Sequence, residues 1–291
     1  MITFSTLLDE YIDHTKDGSA TNAQRGMRKM NALQKRICAS NPYWWLEKNW
    51  TQATVAAQGT YDLPVDYRKL KTVRQSHGTL FNVLTEIVDP VQFNQLNYSQ
   101  ISTGSQALYY HLEGKKITFY PTPNTIEQTI YSYIARPVDM TMIDYTEGNI
   151  LTLANGGVTV IGVGTLWTMN VKAGGYLIID DEAYQIATVV SNTELTLAQA
   201  YQGTSIGAAY EYIIGDLPLI PQDFADILWI AAVRDYYLKK EDKQTHDMYT
   251  ESFYEVENRL KSSTNAKSEE NIIQRGKLYP INPNLYPTIY P

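Results

Sequence analysis

Few side chains in this 291-residue chain stand where their types and spacing could do chemistry. His14, His77, His111 and His246 are far apart in sequence, and none has a second ligand at metal-site spacing. Each therefore reads as structural or solvent-facing. Asp180, Asp181 and Glu182 offer hard oxygens to a calcium ion, but the oxygen-rich loop spacing of a calcium site is missing. A solvated turn explains them better. Gly162-Val163-Gly164 begins like a dinucleotide loop, yet it lacks the third glycine and no helix follows. A pair of hairpin glycines accounts for it. The chain holds no Gly-x-x-x-x-Gly-Lys-Ser/Thr and no Gly-x-Ser-x-Gly, and Cys38 falls on a predicted helix beside Ile37 and Ala39. No motif supports an enzyme, so no catalytic residue, metal or cofactor is expected.

What remains is surface chemistry. The net charge of −7 argues against a protein that grips nucleic acid over its whole surface. The charge is uneven: residues 24–36 carry Arg25, Arg28, Lys29, Lys35 and Arg36 with no acid, whereas 147–211 carry six acids against Lys172 alone. The basic run reads as a solvated face, as a contact for phosphates, or as a partner for acidic faces of a neighbouring copy. Its five bases are the candidate subunit or DNA-channel contacts. Tyrosine is abundant (23 residues) and the last thirteen residues contain four prolines, a composition that leans towards interfaces.

The length suffices for two domains and for a core that needs no staple. A single cysteine excludes an intramolecular disulfide and leaves the redox compartment open. No apolar run reaches the roughly 18 residues of a membrane span, and the first ten residues lack the basic stretch that opens an export signal.

The elements that must position these groups are centred on a hairpin at 107–123, whose Gly114-Lys115 turn joins two strands rich in aromatic and β-branched residues. Ile117, Phe119 and Pro121 share one side. The next strand, 129–137, alternates Ile130, Ser132 and Ile134 with Tyr131, Tyr133 and Ala135. Hairpin and strand are expected to form one small antiparallel sheet. Ahead of it, Thr3 or Ser5 can cap a helix with the stripe Phe4, Leu7, Leu8, Tyr11 and Ile12. Thr21-x-x-Gln24 reads as a capping box for a second helix, with Ala23, Met27, Met30, Leu33 and Ile37 on its apolar face. Tyr43, Trp44, Trp45 and Trp50 are expected to anchor helix to sheet. Asp89-Pro90 opens a short helix through Asn97.

From 148 to 215 short alternating runs separated by turn signals indicate an inserted all-β barrel or sandwich. The helical pattern then resumes. A third helix puts Phe224, Ile227, Leu228, Ala231 and Leu238 on one side, and a fourth aligns Tyr249, Phe253, Val256 and Leu260. The fold class is therefore α+β, with boundaries at 1–49 (N-terminal helices of a bundle), 50–138 (antiparallel β domain), 139–217 (inserted β module), 218–262 (C-terminal helices) and 263–291 (extended arm). In the arm, prolines rule out helix, and Leu278, Ile281, Leu285 and Ile289 between tyrosines are too apolar for an inert tail. A docking arm is preferred over disorder.

The stretch Tyr61-Asp62-Leu63-Pro64-Val65-Asp66-Tyr67, then the strand ending Pro121-Thr122-Pro123, then the strand ending Arg136-Pro137, resembles tailed-bacteriophage head-to-tail adaptor proteins. Their recurrent pattern is Y-x-L-P-x-D-[FY], P-x-P and R-P in this order. Pro218-Leu219-Ile220-Pro221-Gln222-Asp223-Phe224 is similar to the family's closing segment. The inserted stretch from Val160 to the run Glu194-Leu195-Thr196-Leu197 resembles a small β module common in phage virion proteins, and its place inside an adaptor is a departure.

The resemblance implies a non-enzymatic structural virion protein at the head-tail interface, assembled in the host cytoplasm. It implies a homo-oligomeric ring, typically of twelve copies, beneath the portal protein. Such a ring extends the DNA channel, lets packaged DNA pass without sequence-specific binding, and docks a tail or nozzle/stopper protein. It further implies a C-terminal segment seated in portal grooves. Lys277, Leu278, Tyr279, Pro280, Ile281, Leu285, Tyr286, Ile289 and Tyr290 match that role in chemistry, not through a shared motif. The alternative is a virion fibre or baseplate protein whose β module binds glycan or host surface, stacking sugars on Tyr176, Tyr184, Tyr201 and Tyr210. A hydrolase is a third class, with no residue to nominate.

Overall fold

The computed structural model describes residues 1–41, 43–77, 80–97, 103–104 and 106–276, and for 77, 97 and 264–276 the backbone alone. Helix α1 (Phe4–Thr15) starts where Thr3 Oγ1 accepts from Thr6 N and stops at Lys16, whose φ of 52° is left-handed. Helix α2 (Ala20–Ser40) is capped by Ser19, which accepts from Asn22 N. The capping box expected at Thr21 and Gln24 is therefore not the one used. Asn22 folds back instead, donating to Thr15 Oγ1 and Asp17 O, and this pins the turn ahead of α2.

Strands β1 (Glu47–Ala53), β2 (Thr60–Asp62), β3 (Tyr67–His77), β4 (Leu80–Val83) and β5 (Thr85–Glu86) lead to helix α3 (Pro90–Asn97). The helix occupies the span expected of it. Strands β6 (Thr103–Gly104), β7 (Tyr109–Glu113), β8 (Lys116–Tyr120), β9 (Thr122–Pro123) and β10 (Gln128–Ala135) follow. β7 and β8 form the expected hairpin, with Gly114 at φ +62° in its turn.

The hairpin and β10 belong to different sheets, against the expectation of one. One sheet has the order β1-β10-β3-β4; the other, β2-β8-β7-β5. The chain crosses between them at Leu84, whose N donates to Val73 O while the next residue, Thr85, donates to Leu108 O. The two sheets face each other across a core of Tyr110, Ile117, Phe119, Tyr131 and Tyr133. On β10 the tyrosine face is thus the buried one, and Ile134 on its reverse packs against the helices.

Strands β11 (Asn149–Thr152) and β12 (Thr159–Val163), a helical turn α4 (Trp167–Asn170), then β13 (Tyr176–Ile179), β14 (Glu182–Val189), β15 (Glu194–Leu197) and β16 (Ile213–Gly215) make a six-stranded sheet of order β11-β12-β15-β14-β13-β16. Bridges Tyr145–Ile214, Ile150–Tyr210 and Leu153–Ile206 bring the chain around β11 back against the segment that leads into β16, so the sheet curls towards a barrel. Trp167, fully buried, fills it and donates from Nε1 to Tyr212 Oη at 2.9 Å.

Helix α5 (Ile227–Lys239) packs on α1, α2 and α6 (Lys243–Gly276), so elements from both ends of the chain share one core. Leu238, expected on the buried stripe, is exposed at the end of α5. The extended segment expected from 263 is helical through Gly276, because polar, proline-free sequence can continue a helix whose first turns are anchored. Tyr43 stacks on Trp45 (4.2 Å), which packs on the helical core, while Trp50 lies against Tyr131 (4.9 Å) in the sheet core. Three of the four expected anchors are thus seated, two on the helical core and one in the sheet core, whereas Trp44 is exposed.

Candidate interaction surface

The five bases of α2 share one side of the helix because 25, 28, 29, 35 and 36 recur at helical spacing around Ala32. The opposite side buries Asn22, Gly26, Met30, Leu33, Ile37 and Cys38. Arg28, Lys35 and Arg36 are exposed; Arg25 and Lys29 are half-buried. Lys29 Nζ meets Asp235 Oδ2 at 2.9 Å, and Arg234 Nη2 meets its other oxygen at 3.2 Å. Burial pushes the Asp235 carboxyl up, but the hydrogen bonds and charges of Lys29 and Arg234 outweigh it and hold the group below its ordinary range. Arg234 also lies over the Phe253 ring, 4.6 Å from its centroid.

Two hollows flank this face. Between α2 and α5, a groove of about 240 Å³ has small residues at Ala32, Ala231 and Ala232 and cations at Lys29, Arg36 and Arg234. At the C-terminal end of α2, a cleft of about 590 Å³ is lined by Lys35, Arg68, Arg136, Asp139, Val65 and Val138, among others. Lys35 pairs with Asp139 at 2.5 Å. Arg68 donates to Cys38 O and Ala39 O (2.7 and 3.1 Å), satisfying carbonyls that the last turn of a helix leaves open.

The first and last of the adaptor-like motifs meet beside that cleft, which Val65, Arg136 and Pro137 help to line. Asp66 accepts from Tyr133 Oη at 2.8 Å and from Lys48 Nζ at 2.9 Å, and its carbonyl accepts from Arg136 N at 2.7 Å. The Arg136 guanidinium donates to Val65 O. The aspartate of the first motif and the arginine of the last are thus parts of one joint, wedging β10 against the turn before β3. Tyr61, the motif's first residue, locks the turn ahead of β2 by bonding Val55 N, Val55 O and Gln58 O.

The remaining candidates are scattered. His14 stacks on Trp229 (4.6 Å) with Nδ1 2.8 Å from Tyr249 Oη. His111 Nδ1 lies 2.7 Å from Ile87 O, and His246 sits beside Asp247; the His77 side chain lies outside the described residues. Among the described residues no three His, Cys, Asp or Glu side chains are placed to hold a metal ion. Asp180 and Asp181, at φ 50° and 61°, form the left-handed two-residue turn of the β13–β14 hairpin. Gly162 and Gly164 are not the hairpin pair expected: Gly162 lies inside β12, where a Cβ would meet Trp167 at 2.6 Å, and Gly164, at φ +70°, leads into the helical turn α4. Tyr184 and Tyr201 belong to the module's core, while Tyr176 is half-buried and Tyr210 exposed, its hydroxyl donating to Asp180. All nine arm residues from Lys277 to Tyr290 lie outside the described residues.

Sequence reading missed the joint that holds the module. Asp216, buried, accepts from Thr141 N (2.6 Å), Met142 N (2.8 Å) and Lys172 Nζ (2.8 Å) through one oxygen, and its carbonyl accepts from Phe4 N. Asn31 exchanges two bonds with the backbone of Met140, and Thr3 Oγ1 donates to Asp144. Only Asp216 standing two residues before Pro218 at the return to helix hints at this. Arg68, Arg234 and Asp235 reach the surface from other elements, and no spacing could reveal them; Arg136 stood out only as part of its motif.

The charges gathered by this fold line a surface and two shallow hollows, as in a protein that binds other surfaces. A family model described as SU10 adaptor protein matches residues 2–155. The chain belongs to this phage head-tail adaptor family. The match spans α1, α2, both facing sheets and the first strand of the module. The segment 218–224, read above as similar to the family's close, lies beyond it. A comparison with curated proteins found no match to the chain. Among the described residues no helix is long and apolar enough to cross a membrane.

Proposed function

We propose that the protein is a non-enzymatic virion component that forms a ring beneath the portal, extends the DNA channel and docks the tail. Membership of the adaptor family over residues 2–155 carries this reading. The joint between Asp66 and Arg136 supports it, because a ring must hold its shape while DNA passes. The segment 277–291 is the portal-docking arm of this proposal, and the basic face of α2 is its candidate contact with a neighbouring copy or with the channel. The glycan-binding alternative is weakened, since two of its four stacking tyrosines are committed to the module's core.

The test is electron microscopy of the chain mixed with its portal, with and without residues 277–291. A closed ring on one face of the portal, lost on truncation, is expected. Single copies at irregular positions would overturn the ring, and full capture of the truncated chain would overturn the arm.

A further inference from the structure

The molecule is divided electrically. Residues 139–217 hold nine acids and one base, Lys172, which leaves 23 bases and 22 acids for the remainder. The chain's whole excess of negative charge therefore sits on the inserted module. Three of the nine acids are committed at its stem: Asp139 to Lys35, Asp216 to Lys172 and two backbone amides, and Asp144 to Thr3. The rest include a projecting cluster at the β13–β14 turn, where Asp180, Asp181 and Glu182 are all exposed. Asp181 accepts from the amino group of Met1, whereas Asp180 and Glu182 bond only the neutral hydroxyls of Tyr210 and Tyr184. Their charges stay uncompensated.

The opposite charge is displayed on α2. Arg25, Arg28 and Arg36 form no ion pair among the described residues. Arg36 overhangs the alanine-lined groove, beside the Lys29–Asp235–Arg234 network. One chain thus carries a basic face and an acidic turn, joined by a stem that Asp216, Asn31 and Asp144 hold to the helices. Two unlike surfaces at a fixed angle are what a head-to-tail contact needs if it is to repeat and close.

We propose that the basic face of α2 docks the acidic turn 180–182 of a second copy, so that the module is the clasp between neighbours in the ring. This rests on the ring reading and names its subunit contact. Opposite charges steer such contacts and fix their register, and salt weakens them. A DNA phosphate backbone is the competing occupant of the same face.

The test uses two full-length variants. One carries Arg28→Glu and Arg36→Glu; the other carries Asp180→Asn, Asp181→Asn and Glu182→Lys, asparagine being chosen because it tolerates the left-handed turn. Sedimentation at low salt should show the wild type assembled and each variant weakened by about tenfold or more, as like charges now face each other. Mixed together, the variants should assemble again, each supplying the complement the other lost, which also shows that both are folded. A variant that assembles alone like the wild type, or a mixture that stays apart, overturns the clasp while the ring stands. Unchanged assembly with lost DNA retention assigns the face to phosphate and likewise overturns it. A wild type that is monomeric alone and on the portal overturns ring and clasp together.

Discussion

Replacing Gly26 by alanine sets two effects of opposite sign against each other, and the packing of α1 on α2 decides between them. Gly26 lies inside α2. On propensity alone, alanine there should stabilise the helix by about 1 kcal/mol. Yet a Cβ on Gly26 would stand 2.5 Å from Tyr11 Cε1 and 2.6 Å from Cδ1. Carbon atoms pack at roughly 3.5–4.0 Å, so the ring would have to retreat by about 1 Å. It has no room to do so: Tyr11 is 1% exposed, and its hydroxyl donates to Asn22 Oδ1 at 2.7 Å. Burial pushes that hydroxyl's pKa up to about 12, so it remains a donor throughout the neutral range.

Overpacking of this kind costs about 1–3 kcal/mol, and a displaced ring that orphans the buried Asn22 oxygen adds about 1–3 kcal/mol more. After the propensity gain is subtracted, Gly26→Ala should destabilise the chain by about 1–5 kcal/mol. Urea unfolding followed by far-ultraviolet circular dichroism measures this as a lowered midpoint. In a Tyr11→Leu background the same substitution should become neutral or stabilising, and the double-mutant cycle isolates the clash. If Gly26→Ala alone matches or exceeds the wild type in stability, the steric argument is wrong.

Three further outcomes are expected. Asp216→Ala leaves two backbone amides without their acceptor and should cost about 2–5 kcal/mol, the exposed Lys172 contributing little of it; calorimetry showing a melting temperature within about 1 °C of wild type would refute the stem joint. Asp144 has its pKa raised above the ordinary value by burial, against the pull of its bond from Thr3, and one of its oxygens is buried without a partner. Its charged form therefore costs stability, a cost that is absent below the ordinary carboxylate pKa and grows as pH rises through the raised one. Asp144→Asn should melt higher than wild type at pH 7, with the gap closing on acidification; a gap that widens at low pH would contradict this. Cys38 is fully buried, with its thiol pushed up to about 11 by that burial, so only about one part in a thousand is thiolate at pH 8. Native protein should resist iodoacetamide at that pH and react once unfolded, and rapid native labelling would argue against the α2 packing.

Much of the local structure was legible in the sequence because its causes are local. The stripe Phe4, Leu7, Leu8 and Tyr11, the turn at Gly114, the Asp89-Pro90 start of α3 and the alternating strands of the module each need only neighbours a few residues away. So did the basic side of α2, since helical spacing alone places Arg25, Arg28, Lys29 and Arg36 together. The cap at Ser19 was missed because the choice between it and Thr21 turned on where the Asn22 side chain found partners, across the turn to Thr15 and Asp17.

What the sequence by itself determined is most of the elements, their apolar faces and the division of charge between α2 and residues 139–217. Only the tertiary structure decided that β10 turns its tyrosines towards a hairpin in another sheet, that α5 completes a core begun by α1 and α2, and that Arg68, Arg234 and Arg136 join the basic surface. It also decided that Asp216 fastens the module to the helices. The reason is physical: periodicity records which side of an element is apolar, whereas partners brought together across 70 to 200 residues are chosen by the packing of whole elements, which no short-range pattern encodes.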